Sequence, residues 1–324
     1  MIKNNNLHTA KATKNDEFYT QLEDIENELK YYKDYFKGKV VYCNCDGFLN
    51  KEKSNFFMYF SLNYEFLGLK GLICTKYNPN GKGIKYEYYG DLNGNNYPDE
   101  EEVFTSELEG DGDFRSEECI ELLKKCDIVC TNPPFSLFRQ YVAQLFEYKK
   151  DFLIIGNVNA ISYKEVFPLI KENKLWLGVK SLGSDMFFNV PDEYKDELMK
   201  TKTEGGGWRI IDGSVKARVA SACWFTNLDH KKRHEELLLY KKYNEEEYPK
   251  YDNYDAIEVS KVTDIPMDYE GIMGVPITFL NKYCPEQFEI VGQMMTTKVT
   301  EFNFGYPYID GKKKFARLLI KRIS

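Results

Sequence analysis

Short apolar runs alternate with helical patterns along the first half of the chain. Runs of β-prone apolar residues predict strands at 39–43, 69–77, 127–130 and 152–155. Between them, apolar side chains recur at steps of three and four residues, and this spacing predicts helices at 17–35, 54–67, 116–125, 136–148 and 164–172. The alternation favours an α/β fold, in which a mostly parallel sheet is covered by helices on both faces.

The rest of the chain shows a less regular pattern. Turn residues around the β-prone run 84–89 predict a surface hairpin within 78–98. Two further strands are predicted at 175–179 and 220–225, separated by the glycine-rich stretch 205–207, which we expect to be mobile. From about residue 227 the sequence is rich in Tyr, Asp and Pro, which predicts longer loops. We therefore expect a first domain of residues 1–230 and a second region of residues 231–324.

Composition excludes several classes of protein. Of the 324 residues, 43% are hydrophobic and 29% are charged, which is typical of a globular protein and excludes collagen-like and grossly disordered chains. No run approaches the roughly 20 apolar residues that cross a bilayer, so we expect no membrane span. The first residues are polar and lack the apolar core of a signal peptide. These features predict a cytoplasmic protein.

Cysteine and histidine patterns do not favour a metal centre. The eight cysteines are irregularly spaced, so reduced thiols are expected rather than a disulfide framework. Cys126 and Cys130 lack the second pair that would complete a zinc site. His230 and His234 are four residues apart, but no glutamate follows the first histidine and a third ligand is missing. We therefore expect no metal.

Positive charge is concentrated in two places despite a net charge of −7. A basic strip can coexist with an acidic exterior, so nucleic acid remains a possible partner. The candidates for contacts to DNA phosphates are Lys231, Arg233, Lys312, Lys313 and Lys314. A solvated surface is an equally good explanation for any one of these side chains.

The most informative motif is Asn132-Pro133-Pro134-Phe135, which follows directly on the buried strand predicted at 127–130. The prolines fix the backbone, so the Pro133 carbonyl can be held as a rigid acceptor beside the Asn132 side-chain oxygen. Two fixed acceptors orient a planar amino group so that its lone pair faces an electrophile. Phe135 offers a ring face for stacking. This set of groups favours methyl transfer from S-adenosylmethionine to an exocyclic amine.

A simple strand-to-helix turn would also explain the tetrapeptide, because Asn-Pro often starts turns. Its position favours the functional interpretation, since α/β enzymes place their chemistry at the carboxyl ends of strands.

The chain resembles the EcoRI-type adenine-specific DNA methyltransferases over nearly its whole length. The resembling blocks, in order, are Asp16-Glu17-Phe18-Tyr19-Thr20, Val40-Val41-Tyr42-Cys43-Asn44-Cys45-Asp46, Gly112-Asp113-Phe114-Arg115-Ser116, Thr131-Asn132-Pro133-Pro134-Phe135-Ser136-Leu137-Phe138, Phe152-Leu153-Ile154-Ile155, Tyr251-Asp252-Asn253-Tyr254-Asp255-Ala256 and Met273-Gly274-Val275-Pro276-Ile277-Thr278-Phe279-Leu280. The resemblance implies a Rossmann-like methyltransferase sheet and a target-recognition region near the carboxyl terminus. It also implies methylation of adenine N6 in duplex DNA after base flipping, because that nitrogen is hydrogen-bonded inside the duplex.

By the same resemblance, Asn132 and Pro133 hold the adenine amino group, Pro134 keeps the loop rigid and Phe135 stacks on the base. The cofactor is S-adenosylmethionine, and the residues that the resemblance implies for its site are Tyr19, Thr20, Cys45, Asp46, Gly47, Asp113, Phe114 and Asn132. Asp46 would meet the methionine end and Asp113 the adenine amino group. Two departures stand out: residues 46–53 form a longer loop than in the family, and Thr75-Lys76-Tyr77 lacks the usual ribose-binding acid.

Three functions are consistent with these residues. The first is a DNA adenine-N6 methyltransferase that acts as a monomer on double-stranded DNA. It is either the partner of a restriction endonuclease that cuts the same site without forming a stable complex, or a stand-alone methylase. The second keeps the chemistry and changes the acceptor to guanine N2 in RNA or to glutamine in a protein. The third is a non-catalytic DNA-binding module. The collinear blocks favour the first.

Overall fold

The structure is a computed structural model, and it describes residues 19–48, 53–95, 97–190 and 192–323. The α-helices are α1 (Leu22–Leu29), α2 (Asn55–Leu62), α3 (Tyr64–Leu67), α4 (Glu117–Lys125), α5 (Phe138–Glu147), α6 (Phe167–Lys171) and α7 (Asp192–Thr201). The strands are β1 (Tyr19–Thr20), β2 (Val40–Cys43), β3 (Gly71–Lys76), β4 (Ile84–Tyr88), β5 (Phe104–Glu107), β6 (Ile128–Thr131), β7 (Asp151–Asn157), β8 (Trp176–Leu177), β9 (Met186–Asn189), β10 (Trp208–Ile211), β11 (Ser214–Val219), β12 (Ala222–Thr226), β13 (Ile257–Glu258), β14 (Met273–Val275), β15 (Phe288–Met294), β16 (Tyr308–Ile309), β17 (Lys312–Lys313) and β18 (Arg317–Arg322).

The chain divides into two compact units. The first consists of Met1–Val158 and Ser184–Leu228, and the second of Asn159–Gly183 and Asp229–Ser324. The second unit thus takes in a segment from the middle of the chain as well as the carboxyl-terminal part. The assignment of catalysis to residues 1–230 and of target recognition to residues 231–324 stays a prediction.

The first unit is built on a large sheet, in which seven of its strands lie in the order β5-β4-β3-β2-β6-β7-β12. The central strands β3, β2, β6 and β7 are parallel, whereas β4 and β12 run antiparallel to their neighbours. Val41 lies opposite Leu72 on one side and Ile128 on the other. Nearly every residue of these four strands is buried, as expected for parallel strands. The α/β fold with a mostly parallel sheet is confirmed.

Local capping chemistry sets where two helices of this unit begin. The Ser54 hydroxyl accepts a hydrogen bond from the Phe57 N–H at the start of α2, and the Ser116 hydroxyl accepts from the Cys119 N–H at the start of α4. Glutamates in the first turn and lysines in the last turn of α4 complement the helix dipole. In the part of the chain that the structure describes, no helix combines the length and apolar character needed to cross a bilayer.

The prediction of one helix over 17–35 is wrong, because three elements share the segment. Its first two residues lie outside the described part of the chain. Tyr19 and Thr20 then form β1, which pairs with Asn189 and Phe188 of β9. The helix α1 follows, and after Leu29 the chain continues as a 3₁₀-helix over Lys30–Tyr35. The strand depends on a partner far along the chain, which local periodicity does not reveal.

A second sheet in this unit went unpredicted. It is antiparallel in the order β1-β9-β11-β10, and its hairpin β10–β11 turns at Asp212 and Gly213, both with positive φ. The surface hairpin predicted within 78–98 also differs in its pairing. Strand β4 lies where the sequence predicts it, but it pairs with β3 and β5 and so extends the large sheet.

The second unit has its own sheet and core, although this region was expected to be less regular. Strands lie in the order β13-β14-β18-β15, with β14 and β15 both antiparallel to β18. One hydrophobic cluster consists of Tyr251, Ala256, Met294, Ile309 and Leu319. Beside it the buried carboxylate of Glu258 accepts hydrogen bonds from the Arg317 guanidinium and the Tyr251 hydroxyl.

Candidate active site

Two loops meet where the parallel strands β2 and β6 end. The Cys45 N–H donates a hydrogen bond to the Thr131 hydroxyl oxygen at 3.1 Å. That hydroxyl donates in turn to the Asp46 carboxylate, which also accepts from the Asn132 N–H at 3.0 Å. The Asp46 carboxylate therefore fixes the loop after β2 against the start of the Asn-Pro-Pro-Phe motif.

The carboxylate of Asp46 is buried, and its pKa is raised. Its residue surface is only 4% exposed. Burial raises the pKa of Asp46 to about 7, while the hydrogen bonds from Thr131 and Asn132 pull the pKa back down. A cation placed beside this carboxylate would stabilise the ionised form. The position therefore suits the ammonium group of a ligand.

A cavity of about 180 Å³ opens at this edge of the large sheet. Its walls come from the ends of β2, β3 and β6 and from the segment before α4. The lining residues are Asn44, Cys45, Asp46, Gly47, Lys76, Tyr77, Gly112, Asp113, Phe114, Arg115, Asn132, Pro134 and Leu137. The carboxyl ends of parallel strands are where open α/β sheets bind their ligands.

Two glycines let the cavity walls approach one another closely. A Cβ on Gly47 would lie 2.2 Å from the Lys76 Cβ and 2.5 Å from its Cα, so only glycine allows this loop to cross β3 here. Gly112 has a φ of +81°, and a Cβ there would lie 2.7 Å from the Lys76 carbonyl oxygen. Both glycines therefore allow the backbone to pack directly against Lys76.

Asp113 is held ionised on the far wall of the cavity. Its Oδ1 accepts from the Arg115 N–H and Nε, each at 2.8 Å, and its Oδ2 lies 2.5 Å from an Arg115 terminal nitrogen. Hydrogen bonds from Arg115 hold the pKa of Asp113 below its usual value. Its neighbour Phe114 is 5% exposed and packs edge-on against Tyr141. An ionised acceptor beside an aromatic wall suits a planar ligand that carries an amino group.

A network behind the cavity positions the end of β2. The Tyr141 hydroxyl on α5 donates to the Asn44 side-chain oxygen, and the Thr75 hydroxyl on β3 donates to the Asn44 carbonyl at 3.0 Å. The Tyr42 hydroxyl lies 3.1 Å from that of Thr75. Sequence reasoning missed Thr131, Thr75 and Tyr141, because their partners lie 31 to 97 residues away.

The residues of the Asn-Pro-Pro-Phe motif occupy different environments. Asn132 and Pro134 line the cavity, whereas Pro133 is buried. Phe135 is half-buried, begins the 3₁₀-helix Phe135–Leu137 and lies outside the cavity lining. The Pro134 carbonyl accepts from the Leu137 N–H at 3.0 Å, which fixes the turn into α5.

Two of the predicted cofactor-site residues are not part of the cavity lining. Thr20 is 2% exposed within β1 and does not belong to the lining, and Tyr19 is described only through its backbone in the same strand. Five of the residues predicted for the cofactor site line the cavity together: Cys45, Asp46, Gly47, Asp113 and Phe114. Lys76, Tyr77 and Arg115 also line the cavity. Lys76 ends β3 and Tyr77 follows it, and the carboxyl end of β3 lies at this edge of the sheet.

The predicted phosphate contacts all belong to the second unit. Lys231, Lys312 and Lys313 are exposed, and the Lys313 ammonium lies 3.3 Å from the centre of the Tyr306 ring. Lys314 is half-buried. The Arg233 guanidinium lies 3.9 Å from the Trp176 ring centre and donates to Asn173 at 2.9 Å, so its charge is already engaged within the protein.

The histidine pair is engaged in protein contacts. A His230 ring nitrogen lies 3.0 Å from the Leu177 carbonyl oxygen, and His234 bonds to Asp229 and Glu286. Within the described ranges, no group of three or more His, Cys, Asp or Glu side chains is arranged to hold a metal ion.

A family model described as adenine-specific methyltransferase EcoRI matches residues 6–322. The chain belongs to this family. It is 50% identical to the type II methyltransferase M.EcoRI of Escherichia coli, over 97% of this chain and 95% of that protein. It is 39% identical to M.MpnI of Mycoplasma pneumoniae and 38% identical to M.MgeORF184P of Mycoplasma genitalium, each over 98% of both chains. No solved structure matches the chain.

Family membership confirms the predicted activity at the level of an adenine-specific DNA methyltransferase of the restriction–modification type. It also implies a methyl donor of the S-adenosylmethionine type. The alternatives of an RNA or protein acceptor, or of a non-catalytic module, gain no support from these comparisons.

Proposed function

We propose that this protein transfers a methyl group from S-adenosylmethionine to N6 of an adenine flipped out of duplex DNA. The observation that carries the proposal is the Asp46 carboxylate, which joins the wall of the cavity to the Asn-Pro-Pro-Phe loop through the Thr131 hydroxyl and the Asn132 N–H. Donor and acceptor sites built on one hydrogen-bonded unit keep a fixed separation, as in-line transfer requires.

The residues around the cavity fit the proposed cofactor. A buried carboxylate, Asp46, matches its ammonium group, and an ionised carboxylate, Asp113, beside the Phe114 ring matches its adenine amino group. Gly47 and Gly112 let their two loops pack directly against Lys76, which shapes this wall of the cavity. Tyr77, which follows β3 and lines the cavity, is our candidate for the ribose partner in place of the missing acid. When bound, S-adenosylmethionine supplies an electrophilic methyl group on its sulfonium.

Asn132 and Pro133 orient the accepting amine. The side-chain oxygen of Asn132 and the carbonyl of Pro133 each accept one N–H bond from adenine N6, which turns the nitrogen lone pair towards the methyl group. The same oxygens stabilise the positive charge that develops on nitrogen during transfer. The excess proton leaves to water afterwards, so no general base is needed before attack.

Phe135 follows these acceptors and stacks on the flipped base. Phe135 is half-buried and directly follows the cavity-lining Pro134 in the chain, so we expect a base that enters beside Asn132 to reach it. Base stacking on an aromatic side chain is worth roughly 1–3 kcal/mol, which offsets part of the cost of unstacking the adenine.

The remaining architecture follows the same proposal. The large sheet is a Rossmann-like methyltransferase sheet with helices on both faces, and residues 231–324 form the target-recognition region. Exposed Lys231, Lys312 and Lys313, together with Lys314, contact DNA phosphates. Arg233 acts with them only if DNA displaces its present contacts to Trp176 and Asn173.

The enzyme acts as a monomer in the cytoplasm. Its cysteines are free thiols, which fits a reducing compartment, and duplex DNA is its only macromolecular substrate. A cognate endonuclease recognises the same site without a stable complex between the two proteins.

Product analysis tests this function directly. The purified protein is incubated with S-adenosylmethionine and unmethylated duplex DNA, and the DNA is digested to nucleosides for mass spectrometry. We expect N6-methyladenine from duplex DNA, and none from RNA or protein substrates in parallel reactions. Methylation of RNA or protein, or a methylated base other than adenine, would contradict the proposal.

A further inference from the structure

The hairpin formed by β16 and β17 in the second unit is held in place by two residues that lie far away in the sequence. The Asp252 carboxylate accepts from the Asp310 N–H at 3.1 Å and from the Gly311 N–H at 2.8 Å. The Asp252 N–H donates to the Tyr308 carbonyl at 2.8 Å, and the Asn253 side-chain oxygen accepts from the Tyr308 N–H at 3.2 Å. Both the turn and the first strand of the hairpin are therefore fixed to one segment.

The hairpin itself has a tight turn and continuous pairing. It closes through Asp310-Gly311, and both residues have positive φ, as in the type I′ turns that match the twist of paired strands. The pairing continues beyond the last residue of β17, because the Lys314 N–H donates to the Pro307 carbonyl at 2.8 Å. The backbone is therefore hydrogen-bonded up to the residue before Phe315.

The chain is also fixed directly after Phe315. Arg317 is buried, its Nε donates to the buried Glu258 carboxylate at 3.0 Å, and one of its terminal nitrogens donates to the Ala316 carbonyl at 3.0 Å. Among the aromatic side chains that the structure describes, Phe315 is the most exposed, at 82%. A single exposed apolar side chain needs no explanation by itself, but here a backbone fixed on both sides presents the ring to solvent.

The segment around Phe315 is positively charged. Residues 305–316 contain three lysines and one acid, which lies in the turn. Lys312 and Lys313 are exposed, and Lys314 is half-buried. Lysines beside an exposed aromatic ring form the combination with which proteins contact a nucleic-acid backbone and stack on its bases. The charge of this segment therefore favours a polyanion over an apolar protein surface as its partner.

We propose that Phe315 inserts between neighbouring base pairs of the bound duplex and stacks on a base, while the lysines at 312–314 contact the adjacent phosphates. In a duplex each base face is covered by its neighbours, so a side chain reaches it only by separating a base step. Phenylalanine acts in this way as an apolar wedge that partly unstacks and kinks DNA. This inference rests on the proposed function, because it takes duplex DNA as the ligand.

The inference also gives a role to the sequence block at 251–256, which lies outside the cavity at the strand ends. Asp252 and Asn253 are positioning residues, since they hold the hairpin from which the chain leads to Phe315. Asp252→Asn replaces one acceptor of the turn by a donor and should weaken DNA binding. Its effect should be less than additive with that of Phe315→Ala, because both changes act on the same inserted ring. Fully additive effects would contradict this role of Asp252.

An anisotropy titration of labelled duplex DNA with the full-length protein tests the insertion, using a duplex that carries the mapped methylation site. Phe315→Ala should weaken binding at least about fivefold, the lower end of what stacking on one base contributes. The salt slope should stay unchanged, because phenylalanine neutralises no phosphate. Phe315→Trp keeps a stacking face and should bind nearly as wild type, whereas Phe315→Leu should recover only part of the affinity.

Phe66→Ala is the matched control, because it removes a phenylalanine ring that is 65% exposed on α3. Unchanged affinity in Phe315→Ala, equal weakening in the control, or full recovery by Phe315→Leu would overturn the inference and leave the proposed methyl transfer intact. A change of oligomeric state in Phe315→Ala, measured by sedimentation, would identify the ring as a contact between copies of the chain and would also overturn it. Wild-type protein that binds no duplex DNA would overturn both proposals.

Photo-crosslinking gives a direct second readout. With p-benzoylphenylalanine in place of Phe315, irradiation of the complex should attach the side chain to a nucleotide of the duplex, which mass spectrometry identifies. The same replacement at Phe66 should give no crosslink to DNA. If position 315 crosslinked no more to DNA than position 66 does, the insertion would be wrong.

Discussion

Asp46 is the residue on which most of the active-site geometry depends. Its carboxylate is buried, its pKa is raised to about 7, and it accepts a hydrogen bond from the Asn132 N–H at the start of the Asn-Pro-Pro-Phe motif. Burying such a carboxylate is unfavourable for folding on its own. A cationic group of a ligand at this position would stabilise the ionised carboxylate, so the cost of burying the charge would be offset when the ligand binds.

The raised pKa predicts how cofactor affinity depends on pH. Below about pH 7 the free protein holds Asp46 protonated, and an ammonium group binds the ionised form better. We therefore expect the affinity for S-adenosylmethionine to rise between about pH 6 and about pH 8, by up to roughly tenfold per pH unit below the pKa. Calorimetry in buffers of different ionisation enthalpy should show proton release near neutral pH.

Asp46→Asn is the control for that titration. Asparagine keeps an acceptor for the Asn132 N–H but carries no charge, so we expect weak cofactor binding that no longer changes with pH. A wild-type affinity that is equal at both ends of the pH range would contradict the role of Asp46.

At the scale of secondary-structure elements, one buried threonine connects the ends of β2 and β6. Thr131, the last residue of β6, accepts from the Cys45 N–H after β2 and donates to Asp46. Its hydroxyl is fully buried. One side chain therefore sets the distance between the loop that contains Asp46 and the loop that contains Asn132.

Thr131→Val should separate this link from simple packing. Valine has a similar shape but leaves the Cys45 N–H without its acceptor, so we expect a loss of about 1–3 kcal/mol in the free energy of unfolding. Cofactor affinity should fall as well, because the Asp46 carboxylate loses a donor. Chemical denaturation and calorimetry measure the two effects. Thr131→Ser retains the hydroxyl and should behave nearly as wild type; equal losses in both variants would rule out the hydrogen bond as the cause.

The elements also show what the sequence could reveal. Strands β2, β3, β6 and β7 are short apolar runs, so the sequence pattern alone predicted them. The pattern also predicted that they alternate with helices along the chain. The sheet formed by β1, β9, β11 and β10 has short strands with distant partners, and local periodicity carried no signal for it. The same holds in the site: Asp46 and Asn132 follow predicted strands, whereas Thr131 and Tyr141 acquire their roles only through contacts across the fold.

At the scale of the whole molecule, an acidic protein must bind a polyanion. The net charge is −7, so binding depends on local groups of lysines rather than on the overall charge. Lys312 and Lys313 form the short exposed strand β17 in the second unit. Both side chains are exposed, and the Lys313 ammonium would exchange its contact with the Tyr306 ring for a phosphate oxygen.

Salt dependence tests this interface. In the double variant Lys312→Gln and Lys313→Gln, we expect weaker DNA binding for all sequences and a salt slope reduced by about 0.9 for each phosphate that a lysine no longer neutralises. Lys124→Gln with Lys125→Gln is the matched control, because it removes the same charge from adjacent exposed lysines on α4. Equal effects in the two double variants would attribute the weaker binding to net charge and not to β17.

The central claim is that one rigid unit holds the methyl donor through Asp46 and presents the adenine amine through Asn132. Equilibrium S-adenosylmethionine binding and single-turnover methyl transfer to duplex DNA, measured on the same variants, test it most directly. Asn132→Ala keeps the backbone N–H bond to Asp46, so we expect only a small loss of cofactor affinity and a transfer rate lower by about 100-fold or more. In contrast, the main effect of Asp46→Asn should be a loss of cofactor affinity. If Asn132→Ala retained its full transfer rate, or Asp46→Asn its full cofactor affinity, the assignment of these two residues would be wrong.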